Sequence, residues 1–188
     1  MVLLSYVAQV AKRQRPEAQR RCIRPTAEDQ LSEIAKHQFV RQQGLDDVAP
    51  ASCVYLYPAL MFQPRVLAGI VLVGIALQSA PIFLVLAAIL WWNVLVPRHN
   101  PFDALYNRII AKSRNLPPLG PAPAPRRFAQ SIAGTILTGT GLALLAGVPA
   151  FAWFLEALIS IALAALVLGR FCLGSYLYHR LRGKAAFG

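Results

Sequence analysis

The sequence predicts an all-α membrane protein of four transmembrane helices in two antiparallel hairpins, preceded by a cytoplasmic helical extension. Three observations predict it. Residues 66–97 contain no Asp, Glu, Lys or Arg, and from Phe128 to Gly169 the only charge is Glu156. Charged residues make up 14% of the 188, against roughly 25% in a typical soluble domain. The charges that remain flank the apolar runs, and neither short turn between paired runs holds a basic residue.

The elements follow in order. Met1–Gln14 places Leu3, Tyr6, Val7 and Val10 at helical spacing with basic residues behind them, the pattern of a short interfacial helix. Thr26 is a suitable N-cap with Asp29 three residues on. A polar helix is expected from Ala27 to about Gln43, closed by Gly44. Leu31, Ile34 and Phe39 form a narrow apolar stripe on it, read as a docking surface. Asp46–Ala51 reads as a turn, and Tyr55 and Tyr57 suit the headgroup level. The first span is expected from Val66 to Ala80, about 22 Å of helix, with residues before Arg65 completing the crossing. Pro81 opens the second span, which reaches Val96.

Seven of the fourteen prolines lie between Pro97 and Arg127. Pro101 and Asp103 predict a surface helix from Asn100 to Lys112, with Phe102, Leu105, Ile109 and Ile110 toward the membrane and Tyr106 among the partner-facing residues. Leu116–Pro125 reads as a stiff extended spacer. The third span is Phe128–Gly147, and the fourth runs from Val148 to about Gly169, with helix continuing through Tyr178. The organisation is therefore an extension (1–63), a first hairpin (64–97), a connector (98–127), a second hairpin (128–178) and a basic tail (179–188).

Of the 19 basic residues, nine precede or open the first span, six lie in the connector and four follow the fourth span. The positive-inside rule then places both termini and the connector in the cytoplasm of a bacterium, with the spans in its inner membrane. The net charge of +11 is read as topology and as attraction to anionic lipid headgroups. Nucleic acid is not expected, because no RNA-binding or zinc-finger pattern accompanies the charge. Gly134, Thr138, Gly139 and Gly141 make the third span thin on neighbouring turns, so helices are expected to pack closely there, against Ala162, Ala164 and Ala165.

Few residues suggest chemistry. Glu156 lies within an apolar run, where a bare charge costs about 2.5–3.5 kcal/mol on insertion scales. It reads either as a proton or cation site or as a neutral acid bonded to a Thr or a carbonyl of the next helix. His99 and His179, at span ends, are the candidates for contact with haem or a chlorophyll-type pigment, although the sequence requires no cofactor. Beside Arg98 and Arg180 they read as solvated. No phosphate loop, catalytic triad or zinc motif is present, so neither a metal site nor an enzyme is expected.

The Asn100-Pro101-Phe102-Asp103-x-x-Tyr106-Asn107 block, the Arg126-Arg127-Phe128-Ala129-Gln130 run, Leu155-Glu156-Ala157 and the closing Phe171-Cys172-Leu173-Gly174-Ser175 together resemble an uncharacterised bacterial membrane family, domain of unknown function 4395. The resemblance covers roughly residues 64–178. It implies a Cys-x-Gly-Cys dithiol at the membrane edge, and association of some members with thioredoxin-like or rhodanese-like proteins. Here Cys172 keeps the first position and Ser175 replaces the second, so Cys172 is expected as a free thiol. Three functions are carried forward: a non-catalytic accessory or assembly subunit of a larger membrane complex, a thiol-linked redox protein using Cys172, and a small transporter or proton-handling protein using Glu156.

Overall fold

The computed structural model describes residues 27–45 and 52–183, which form seven α-helices. The expected interfacial helix at Met1–Gln14, the Thr26 cap, the Asp46–Ala51 turn and the last five residues lie outside the described residues. The chain divides into two units at Ile34 and Ala35. Helix α1, Ala27–Gln42, crosses that division, and Gly44 closes it with a φ of 91°. A Cβ on Gly44 would meet Pro123 and Pro125 within 3.1 Å, so glycine suits both the dihedral and the space.

Helix α2, Cys53–Leu77, is one continuous helix of 25 residues with Pro58 and Pro64 inside it. The first span was expected from Val66 with residues before Arg65 completing it, and the helix begins thirteen residues before Val66. The residues from Cys53 to Gln63 belong to the same rod, whose 25 residues extend about 37 Å. Gln78 ends it in the left-handed region at φ 45°, and α3, Ala80–Leu95, returns antiparallel with Pro81 in its first turn. A short 3-10 turn, Pro97–His99, leads to α4, Pro101–Tyr106, which continues as a π-type turn over Asn107–Ala111. Asn100 caps α4, its Oδ1 accepting from the backbone N–H of Phe102 and Asp103.

Helix α5, Ala124–Leu145, starts four residues before the expected Phe128, so both arginines of that motif are helical. Helix α6 is Pro149–Val167. It does not run on to Tyr178. Phe171 N–H bonds back to the Ala165 carbonyl, Arg170 takes φ 54°, and a separate α7 covers Leu173–Leu181.

Three helices, α2, α5 and α6, are long and apolar enough to cross a membrane, and α3 is a shorter apolar helix of 16 residues. They are compatible with a multi-pass membrane protein. The central core joins Leu67 and Val71 of α2, Phe83, Leu86 and Leu90 of α3, Leu137 of α5, and Ile159 and Leu163 of α6. A second cluster gathers Phe39 and Val40 of α1 with Leu60, Met61 and Cys172. Large side chains such as Leu72, Val85, Trp153, Phe154 and Ile161 stay exposed, as lipid-facing residues would.

The glycines of α5 serve close approach, with a different partner from the one expected. A Cβ at Gly141 would lie 2.6 Å from Leu84, and one at Gly134 would lie 3.3 Å from Trp91, so both face α3. Only Gly139 turns toward α6, at 3.0 Å from Leu155. Thr138 donates to the Gly134 carbonyl of its own helix at 2.7 Å instead of bonding across the gap. Packing between α3 and α5 thus rests on missing side chains and van der Waals contact. Gly141→Val should separate the two helices and lower stability by about 1–3 kcal/mol in detergent unfolding. Gly69→Ala, where nothing lies within 4 Å, should leave the unfolding midpoint unchanged or raised.

Candidate functional site

The first turn of α5 carries two adjacent arginines that serve different neighbours. Arg127 donates through Nε and Nη2 to the Val94 carbonyl at 3.1 and 2.8 Å, satisfying the end of α3 where carbonyls lack helical partners. Arg126 is buried. Its terminal nitrogens donate to both carboxylate oxygens of Asp103, at 2.6 and 3.0 Å, and to Gln63 Oε1 at 2.7 Å. This fork-shaped pairing is the strong form of an ion pair, which burial otherwise makes costly.

The surrounding groups complete a buried polar cluster. Asn100 donates to Asp103 Oδ2 at 2.9 Å and to Gln63 Oε1 at 3.4 Å, and Gln130 donates to the same Gln63 oxygen at 3.0 Å. All five side chains, Gln63, Asn100, Asp103, Arg126 and Gln130, belong to buried residues. Tyr106 packs beside them against Phe62, and burial raises its phenol pKa above the ordinary value, partly opposed by Arg114. Asn107 clasps Leu119 through both its N–H and its carbonyl, at 2.8 and 3.2 Å, which fixes the proline-rich spacer against α4. The two sequence motifs around Asn100 and Arg126 therefore meet in one cluster.

Gln63, Arg126 and Gln130 did not stand out in the sequence as site residues. Their signal was present: two glutamines and an arginine standing at the very edges of apolar runs. Phe102 and Tyr106 were expected to face outward, toward the membrane and a partner. The Asn100 cap turns α4 so that Phe102, Asp103 and Tyr106 face inward and Leu105 and Ile109 face out. Phe39 is likewise core, at 2% exposure, whereas Leu31 and Ile34 are exposed.

A second site surrounds Cys172. The Gln42 side chain pairs with its backbone in both directions, accepting from Cys172 N–H at 3.0 Å and donating to its carbonyl at 3.1 Å. Ser175, fully buried, has its hydroxyl 3.3 Å from Cys172 Sγ and 3.4 Å from the Pro125 carbonyl. Cys172 is buried and forms no disulfide. Gly174 lies against α5, where a Cβ would come within 2.7 Å of Ala129. His179 is buried, contrary to the solvated reading, and its Nε2 lies 3.2 Å from the Gln42 carbonyl. His99 is exposed, and its own carbonyl accepts from Trp92 Nε1.

Glu156 is buried at the other end of the bundle. Its carboxylate accepts from Gln78 Nε2 at 3.1 and 3.2 Å, and Gln78 Oε1 accepts from Trp153 Nε1 at 3.2 Å. The partner is thus the amide at the α2–α3 turn, not a threonine or a carbonyl. Asn93 on α3 is fully buried, and neither polar atom of its amide has a hydrogen-bond partner. Among the described residues no group of three His, Cys, Asp or Glu side chains could hold a metal ion.

A family model described as Domain of unknown function (DUF4395) matches residues 58–182, which include the buried polar cluster, Glu156 and Cys172. No curated protein and no solved structure matches the chain.

The polar cluster makes a quantitative demand. Asp103→Ala strands a buried guanidinium and should cost about 3–5 kcal/mol in chemical unfolding. Adding Arg126→Leu to that variant should restore part of the loss. If the two single losses simply add, the pair is not coupled and the cluster is not a unit.

Proposed function

The chain belongs to the DUF4395 family, and from its geometry we propose that it is a non-catalytic accessory or assembly subunit of a larger bacterial membrane protein complex. The observation that carries this reading is the start of α1. Leu31 and Ile34, three residues apart on one helix face, are 66% and 53% exposed on an otherwise polar helix. They fall in the unit that ends at Ile34, before the part of α1 that packs through Phe39 and Val40. An apolar pair on a cytoplasmic helix gains most by burial against another protein. The strong polar groups, in contrast, are occupied in holding the fold: Arg126 on Asp103, Arg127 on Val94 and Glu156 on Gln78.

In this reading α2, α3, α5 and α6 are four spans of the inner membrane, and both termini lie in the cytoplasm. The turns around Gln78 and Gly147 are too short to leave any arrangement but two antiparallel hairpins, and all 19 basic residues lie away from them. Basic residues beside the spans meet anionic headgroups. A thiol-linked role stands second, favoured by the Ser175 hydroxyl beside Cys172 at the start of α7.

Deleting residues 1–34 keeps the Phe39 and Gln42 contacts and should leave the spans inserted, while co-purification with the partner is lost. Leu31→Asp with Ile34→Asp should have the same effect on the full chain. Assembly of either variant at full yield on native gels would remove the support for the subunit role. Orientation is tested separately with Ser79→Cys in a chain whose three natural cysteines are replaced. An impermeant maleimide should label it in intact cells. Labelling only after the cytoplasm is opened would reverse the topology.

A further inference from the structure

The proline-rich spacer between α4 and α5 is held along one edge only. Residues 116–123 form neither helix nor strand, with one bend at Pro121, and Pro123 takes φ −64° and ψ 163°. Such dihedrals belong to the polyproline II helix, which repeats every three residues and makes no hydrogen bonds of its own. Leu116, Leu119 and Ala122 therefore share an edge. That edge is turned inward: Ala122 is buried, and Leu116 and Leu119 pack against the cluster of Ala59, Tyr106 and Ala111. Leu116 N–H bonds to the Ala111 carbonyl at 2.9 Å, and Asn107 holds both backbone groups of Leu119.

Two edges are left open. Pro117 and Gly120 lie on one, Pro118 and Pro121 on the other, and all four residues are exposed. A Cβ at Gly120 would meet nothing within 4 Å. Among the described residues the carbonyls of Pro117, Pro118 and Gly120 accept no hydrogen bond. Stiffness alone would serve a spacer, but Pro118 and Pro121 on one outward edge make the Pro-x-x-Pro pattern that aromatic-lined grooves read. Such grooves seat two edges of the ligand helix among their rings, donate hydrogen bonds to its carbonyls and leave the third edge free. Here the third edge is the one anchored to the fold, so a partner seats without displacing Leu116 or Leu119. The conformation is set before binding, so little ordering entropy is lost on contact.

We infer that Pro117-Pro118-Leu119-Gly120-Pro121 is a docking ridge for a partner protein domain whose aromatic-lined groove reads polyproline II segments. This rests on the subunit reading, which puts the connector in the cytoplasm where a soluble domain can reach it. The ridge includes no residue before Leu116, so it binds in a chain lacking residues 1–34, and the ridge and the Leu31–Ile34 pair can fail separately.

The test places the full chain in phosphatidylcholine nanodiscs and titrates it with two purified probes, an SH3-type domain and a WW-type domain, both with aromatic-lined grooves. At least one should bind saturably, with one domain per chain. Pro118→Ala with Pro121→Ala should weaken that binding by about tenfold or more. Both side chains are exposed, so the double variant keeps the fold. A chain lacking residues 1–34 should bind the probe as well as the full chain does. Saturable binding by neither probe would overturn the inference, as would binding that the double variant leaves unchanged. Binding in detergent that is lost in nanodiscs would also overturn it, because the bilayer would then be what covers the ridge. Loss of binding on removal of residues 1–34 would assign the contact to α1 instead.

Discussion

Arg126 sits in the first turn of α5, where the helix dipole opposes a positive charge, and it is buried as well. It is tolerable there only because Asp103 and Gln63 converge on its guanidinium. That requirement fixes much else. Asp103 must face inward, so α4 must be capped by Asn100 in the orientation seen, which carries Phe102 and Tyr106 into the core. Gln63 must lie level with the start of α5, which sets the height of α2 along the bundle. Arg127, next in sequence, then points to the end of α3 and satisfies Val94. One helical turn thereby registers α2, α3 and α4 against α5.

Farther from that turn, register is kept by shape instead of charge. In lipid the apolar effect gives helices little reason to associate, so contact area and close approach must do it. Gly134 and Gly141 lie two turns apart on α5 and let α3 close in along its length. At the opposite end Glu156 and Trp153 hold Gln78, so the two hairpins are tied at their tips as well as at their bases. Glu156, which reads in sequence either as a proton or cation site or as a bonded neutral acid, accepts here from the amide of Gln78 at the α2–α3 turn.

The apolar runs were legible because a membrane tolerates so few charges that their absence marks the helices directly. Gly44 as the end of α1 was legible for the same local reason, a left-handed dihedral. The beginning of α2 was legible only in part, because Arg65 interrupts the apolar run, and the helix carries on through Pro58 and Pro64 back to Cys53. The break between α6 and α7 falls where Gly169 and Arg170 end the apolar run, and it depends on the Phe171 N–H finding the Ala165 carbonyl, a contact that spacing does not announce. The polar cluster could not be read at all from spacing, since Gln63, Asp103 and Arg126 meet only when three helices have closed. What the sequence offered was two motifs without a reason, and the fold supplies the reason: they are the two halves of one ion pair.

Gln42 lies sixteen residues before the region matched by the family model, yet it holds both backbone groups of Cys172 and its carbonyl meets His179. Phe39 and Val40 wall the same corner. The stretch that defines the family and the stretch that folds are therefore not the same length of chain. A fragment cut at residue 58 would keep all the matched residues and still uncover the peptide groups of Cys172 that Gln42 now holds. The surroundings of Cys172 are set partly by α1, a helix that lies outside the matched residues.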